Sequence, residues 1–340
     1  MSTLMPPPTA PTHRTTTVTR TAPIFAAGAI MLEALSDPAL RAIYAPGLIA
    51  GVLIALVCGL VSPLVVVRRM GFIGQGISHS AFGGIGVAAL LAAWSAGSAA
   101  GFLASGGLGE FLIIMTFCAL AAVGMGALGS ADAPQGSGPA AGASRGSGAG
   151  SEDTAIGIYL VGSMALGAVL VQLARDYALA AGRPADVRSW ESILFGSVLL
   201  AGRFELALAW GSLAVVGITL WLLRRPLVLW AADEGGAAAL GVPVRALRAA
   251  VGILLAGVVV ASMKVAGVVL ASALLILPGA TALNLADRLV PTLLGSCVSA
   301  LVAMVLGLAL AIEFSLPPGP SIVGVLIALF AASSLLARAR

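Results

Sequence analysis

Charge is the scarcest commodity in this chain: Asp, Glu, Lys and Arg together make up 9% of its 340 residues, against about a quarter in soluble domains. Aromatic residues are only 5%, and there are three cysteines, two histidines and one lysine. Each shortage excludes something. The lone lysine, Lys264, follows Met263, so there is no G-x-x-x-x-G-K-[ST] loop to cradle phosphates, and ATP is not bound by that route. Any energy source must be a partner subunit or an ion gradient. With His13 and His79 as the only histidines, an H-E-x-x-H zinc centre is excluded as well. Cys58, Cys118 and Cys297 show no C-x-x-C spacing, which supports neither a disulfide framework nor a thiolate metal site. The net charge of +4 comes almost wholly from scattered arginines. No basic patch interleaved with aromatics points to nucleic acid; arginines at segment ends suit lipid headgroups and cytoplasmic loops.

What is abundant is apolar surface: 59% of the residues are hydrophobic and the mean hydropathy is +1.07, the composition of a polytopic membrane protein. Runs of about 18 or more mostly apolar residues cross the hydrocarbon as helices. They fall at 48–67, 72–93, 111–128, 154–174, 206–223, 247–263, 266–286, 290–312 and 320–337, so an all-α bundle of nine transmembrane helices is expected. Residues 1–30, rich in Thr, Pro and Ala, read as a disordered extension, with Met31 a candidate true start. The piece 31–44, MLEALSDPALRAIY, reads as interfacial, and 31–340 as one transmembrane domain. Placing the C-terminus in the cytoplasm puts ten arginines inside, among them Arg68, Arg69, Arg224, Arg225, Arg245, Arg248 and Arg288. The cell (inner) membrane is the expected location.

Two connections differ from the rest. Residues 129–153, GSADAPQGSGPAAGASRGSGAGSED, read as a flexible linker. In 175–205 the short apolar core SILFGSVLLAG cannot span and is expected to be a re-entrant or interfacial helix on the outer face. Glycines within the spans, such as Gly83, Gly84 and Gly86, let helix backbones approach closely, and Pro278–Gly279 marks an expected kink.

One span carries an ionisable group. RRMGFIGQGISHSAFGGIGVAALL, 68–91, holds His79 roughly 15 Å beyond Arg69 along a helix, near the bilayer midplane. Ionisable residues at that depth line buried or water-filled paths rather than lipid. Gln75 stands four residues earlier, on the same face. A neutral imidazole ligates zinc, manganese or iron, and an amide oxygen is a weak ligand suited to transient contact, a pairing that favours passage over storage. Ser78 and Ser80 flank the histidine but point around the helix, so at most one shares its face. Glu152 and Asp153, opening the fourth span, read as charges that complement the helix dipole.

That stretch, with SEDTAIGIYLVGSMALG at 151–167, SILFGSVL at 192–199, DEGGAAALGVPV at 233–244 and MKVAGVVLASALLILPGATA at 263–282, resembles the permease subunit of the metal-ion (zinc, manganese, iron) ABC importers. The likeness runs in order from about Met31 to the C-terminus. It implies the cobalamin-importer-type permease fold, a homodimer, two cytoplasmic ABC ATPase subunits, an extracytoplasmic solute-binding protein that delivers metal, and no enzymatic activity or resident cofactor in this chain. The resemblance assigns 233–248 as the coupling loop, with Asp233, Glu234, Ala237, Leu240, Gly241 and Val242 facing the ATPase. It also places the membrane metal site at Gln75 and His79, where the family has Asp and His: the histidine is kept and the acid is not. The alternatives are an importer of metal chelates or cobalamin, an intramembrane enzyme, and a gradient-driven carrier.

Overall fold

A computed structural model of the chain describes residues 38–95, 107–131, 147–182, 194, 196 and 198–338. The extension 1–30 and the candidate start Met31 lie outside the described residues. Within them the chain forms α1 (Pro38–Val67), α2 (Gly71–Trp94), α3 (Gly107–Ala131), α4 (Ser147–Ala180), a 3₁₀ turn (Val198–Leu200), α5 (Arg203–Leu222), α6 (Arg224–Ala232), α7 (Glu234–Ala239), α8 (Val244–Ala266), α9 (Val268–Leu285), α10 (Leu289–Phe314) and α11 (Pro318–Arg338). Nine of these, all but α6 and α7, are long and apolar enough to cross a membrane, and they coincide with the nine expected spans. Helices satisfy every backbone amide internally, which is what a bilayer demands of a spanning segment.

Three local expectations are modified. The linker 129–153 is shorter than its composition suggests, because α3 persists to Ala131 and α4 begins at Ser147. Pro134 and Pro139, which cannot continue a helix, lie in the interval outside the described residues. From Pro38 onward the expected interfacial piece is not separate but continuous with the first span in α1, proline being well tolerated at the first helical position. Of the expected re-entrant helix, residues 192, 193, 195 and 197 lie outside the described residues, and the described part holds Leu194 in helical conformation and a 3₁₀ turn at Val198–Leu200. In the turn Val198 is fully covered and Leu199 half-buried, and the turn packs on α1 and α11. Just before it, Gly196 has φ +62°, and a Cβ there would lie 2.5 Å from the backbone nitrogen of Gly267, so both the turn and the close approach require glycine.

α1 and α8 are central: 67% and 72% of their most apolar windows are buried, against 11% for α5 and 17% for α11. The outer helices accordingly present large apolar side chains, including Trp210 and Trp221, to the surroundings. Packing in the middle relies on small residues, since lipid leaves no hydrophobic force to drive helices together. α2 meets α4 at Gly86 and Gly167, where a Cβ on Gly86 would lie 2.9 Å from the carbonyl oxygen of Gly167.

A tight, hydrogen-bonded joint lies between α1 and α9, where Ser62–Pro63 meets Pro278–Gly279. α9 continues across the expected kink at Pro278. The proline ring removes one backbone donor, and α1 supplies compensation. The Gly279 N–H donates to Ser62 Oγ at 2.8 Å, and that hydroxyl donates to the Ile276 carbonyl at 3.2 Å. The Pro278 carbonyl accepts from Ser299 Oγ at 3.4 Å. A Cβ on Gly279 would meet Ser62 Oγ at 2.6 Å.

Ser62→Ala should therefore lower stability by about 1 kcal/mol, the scale of one buried hydrogen bond. Gly279→Val should cost several times that by forcing the two backbones apart. Thermal unfolding in detergent checks the ranking, and equal losses would remove the joint from its central place.

Candidate functional site

α1 ends and α2 begins across a three-residue break. Arg69 adopts φ 54°, and the N–H groups of Arg69 and Met70 bond to the carbonyls of Val66 and Val65 at 3.0 and 2.8 Å. This is the left-handed helix stop usually built on glycine. Beyond it, α2 carries Phe72, Gln75 and His79 on one face. Phe72 is exposed, and Gln75 and His79 are half-buried. The ring of His79 lies nearly parallel to that of Phe82, with centroids 6.4 Å apart and planes 10° from parallel. His79 Nδ1 is buried and has no hydrogen-bond partner among the described residues. The neighbouring hydroxyls do not reach it: Ser78 and Ser80 donate back to the Gly74 and Gly76 carbonyls, each at 2.8 Å. A buried imidazole nitrogen with nothing to bond is costly unless something else visits it.

Among the described residues no three His, Cys, Asp or Glu side chains come close enough to hold a metal ion. One chain therefore offers one imidazole and one amide, fewer than the four ligands zinc usually takes or the six preferred by manganese. A cation resting here needs water or a second face to complete its shell.

The end of the bundle near Arg68 gathers arginines and holds the short helices. Asp233 caps α7, its carboxylate accepting from the N–H groups of Gly235 and Gly236 at 3.0 and 2.9 Å. α7 ends at Ala239, and the turn after it is closed by Gly241, φ +81°, with Val242 N–H returning to the Ala237 carbonyl at 3.0 Å. Ala237 is buried, Val242 is half-buried, and Leu240 projects outward, 71% exposed. The structure thus gathers the six loop residues named from sequence into one capped turn, at the opposite end of α2's first turns from His79.

Arg68 and Arg248, read from the sequence only as arginines of one membrane side, and Trp230, which sequence reasoning passed over, tie this turn down. Glu234 forms ion pairs with Arg68 and, at 2.5 Å, with Arg248. The Arg68 guanidinium also lies 4.2 Å from the centre of the Trp230 ring, a cation–π contact. Trp230 is 1% exposed. Burial on its own would raise the Glu234 carboxyl, but the charges and hydrogen bonds of Arg248 and Arg68 outweigh it and hold the group below its ordinary 4.5. The signal in sequence was a glutamate inside the loop motif and a tryptophan three residues before that motif; nothing marked Arg68, 166 residues from Glu234, as their partner.

At the other end of the bundle the single lysine is also paired. Lys264 Nζ donates to Glu110 Oε2 at 2.6 Å and lies 5.7 Å from the Phe204 ring centre. The lysine side chain is 2% exposed and the glutamate 21%. The pair joins the outer turns of α3 and α8, with α5 alongside.

The ABC 3 transport family model matches residues 41–133 and 145–337. The manganese transport system membrane protein MntC of Halalkalibacterium halodurans is 30% identical over 284 residues, covering 84% of each chain. A metal transport system membrane protein of Thermotoga maritima is 30% identical over 275 residues, 81% of this chain and 83% of that one. Among solved structures, PsaBC from Streptococcus pneumoniae, determined in complex with Fab, aligns with a TM-score of 0.69 at 26% identity, covering 90% of this chain and 94% of its own. A metal-chelate type ABC transporter in an inward-facing conformation aligns at 0.59 and 16% identity over 91% and 97%, a likeness of fold.

Two outcomes follow from the ion pairs. Glu110→Gln should destabilise the protein by roughly 3–5 kcal/mol by leaving a buried ammonium unpaired, whereas the double change Glu110→Leu with Lys264→Met should be nearly neutral; melting of the three proteins decides it. Because the folded value of Glu234 is depressed, its ion pairs stabilise fully above pH 4.5 and fade as pH falls through the lower folded value. The stability gap between wild type and Glu234→Gln should therefore be open at pH 7 and close in acid, and a gap independent of pH would contradict it.

Proposed function

Because the chain belongs to the ABC 3 transport family and is a membrane permease of the metal-ion importer type, we propose that it conducts a divalent transition-metal ion through the membrane past His79. The observation that carries this reading is the buried, unpartnered Nδ1 of His79 inside a span, with Gln75 a turn away on the same half-open face. A neutral imidazole is a good ligand and a neutral amide a poor one. Together they let a cation shed part of its water without a fixed negative charge to trap it. With two ligands per chain, a homodimer that presents two copies of this face to one path would double the donor set.

The rest of the importer follows from where the other parts lie. ATP hydrolysis belongs to separate cytoplasmic ABC ATPase subunits, since this chain has no phosphate loop of the lysine type. The arginine-rich end is cytoplasmic by the positive-inside rule. There the outward Leu240 and the capped turn 233–242 form the projection that docks on the ATPase. The opposite end, with the buried 3₁₀ turn and the Lys264–Glu110 pair, receives metal from an extracytoplasmic binding protein. Alternating access then amounts to moving the spans around the α2 face. Manganese, named for MntC, is the first metal to test, with zinc and iron beside it.

His79→Ala should abolish metal uptake by the reconstituted complex while leaving assembly with the ATPase intact. Gln75→Asp should tighten metal retention by adding a carboxylate, and slow release. Uptake of radiolabelled manganese, zinc and iron into proteoliposomes, with equilibrium binding in detergent, measures both. Wild-type uptake in His79→Ala would reject the path.

A further inference from the structure

The contacts around Glu234 join two parts of the chain that the functional reading treats separately: the turn that docks on the ATPase and the helix that bears His79. We propose that Arg68 is a positioning residue that transmits movement of α7 to α2, so that the Arg68–Trp230–Glu234 clasp sets how much metal is carried per ATP hydrolysed. The proposal rests on the importer reading above.

The geometry gives Arg68 little independence from α2. It precedes Arg69, whose left-handed backbone closes the break between α1 and α2, and the break is braced by Met70 N–H to Val65 O at 2.8 Å and Gly74 N–H to Met70 O at 2.9 Å. A shift of the Arg68 side chain therefore acts on the first turn of α2, two turns below His79. On the other side, the clasp grips both short helices at once. Trp230 lies in the last turn of α6 and Glu234 opens α7. Arg248, the second partner of Glu234, is 54% exposed, while Arg68 is 17% exposed. The less solvated of the two pairs is thus the one that reaches α2, and it is the less screened.

The clasp is also incompletely satisfied. Arg68 Nε and Trp230 Nε1 are both buried without a hydrogen-bond partner among the described residues. Two buried donors left open within one contact are unusual. A clasp built only to hold the fold would meet them; one that works in two arrangements need meet them only in the other. Arg68 is suited to such a role because its rigid, many-donor guanidinium fork lies over the indole and bonds the carboxylate at once, a fixed geometry that the point charge of a lysine ammonium would reproduce only in part.

The test uses the permease–ATPase complex in proteoliposomes with manganese as the cargo. Arg68→Gln should raise the ATP hydrolysed per manganese imported by roughly fivefold or more, the range of ordinary coupling energies, while ATPase binding and manganese affinity stay at wild-type values. Arg68→Lys should recover the ratio only in part. A second readout needs no transport: spin labels at Phe72→Cys and Ala238→Cys, in a Cys297→Ser background, should report a narrow distance distribution that broadens in Arg68→Gln. An unchanged ratio with an unchanged distribution overturns the proposal. So does loss of assembly or manganese affinity in Arg68→Gln, which would make the clasp a structural contact alone. A wild-type complex that carries no manganese, zinc or iron would overturn the importer reading instead, and the label distances would then decide the clasp by themselves.

Discussion

Inside a bilayer a displaced backbone group has no water to fall back on, and the fold depends on how that constraint is met where two proline-bearing helices cross. α1 and α9 both carry interior prolines, Pro63 and Pro278. Each removes a donor that the helix would have used. The crossing works because serine and glycine sit at the contact: Ser62 accepts from Gly279 and donates to Ile276, and the missing side chain of Gly279 lets the backbones close. Cys58 and Ser262, whose side chains meet at 3.3 Å, carry the same polar stitching from α1 to α8. The central helices are held by short polar links and close approach, while the outer helices contribute apolar surface to the lipid.

The spans were legible in the sequence because the signal for each is local: a run of apolar residues of membrane length, ended by arginines. Their number and order followed from that alone. The histidine was legible for the same reason, being an ionisable residue in such a run. Interaction across the chain was not. Ser62 with Gly279, Lys264 with Glu110 and Arg68 with Glu234 each bring together residues more than 150 positions apart, and nothing in either member names the other. Composition did not mark where the helices flanking the linker end: residues 129–131 and 147–153 are helical, and 132–146 lie outside the described residues. Alanine favours helix and isolated glycines only weaken it, so α3 and α4 extend into a stretch whose low complexity suggested coil.

The candidate site is economical in charge. The proposed path offers an imidazole and an amide, His79 and Gln75, and the ion pairs among the described residues lie at the two ends of the bundle, around Glu234 and at Lys264. A fixed carboxylate at the midplane would lower the energy of a resting cation and deepen the well from which it must escape. A neutral pair makes a shallower well, so passage depends more on what happens at the ends, where the charges are, than on affinity in the middle. The two ends are unlike. The Arg68 end is partly solvated and has donors left over; the Lys264 end is an almost dry, singly paired lysine.

That dry lysine has a practical face. Lys264 is the chain's only ε-amine, and it is enclosed by Glu110 and Phe204. To amine-directed chemistry the folded membrane domain is nearly silent: acylating labels and lysine cross-linkers find little beyond the chain's α-amino group. Contacts with any partner protein will have to be mapped through carboxylates, arginines or introduced cysteines. Conversely, any acylation of Lys264 in an intact complex would report that the outer turns of α3 and α8 had parted, which makes an otherwise inert residue an opening sensor already built into the protein.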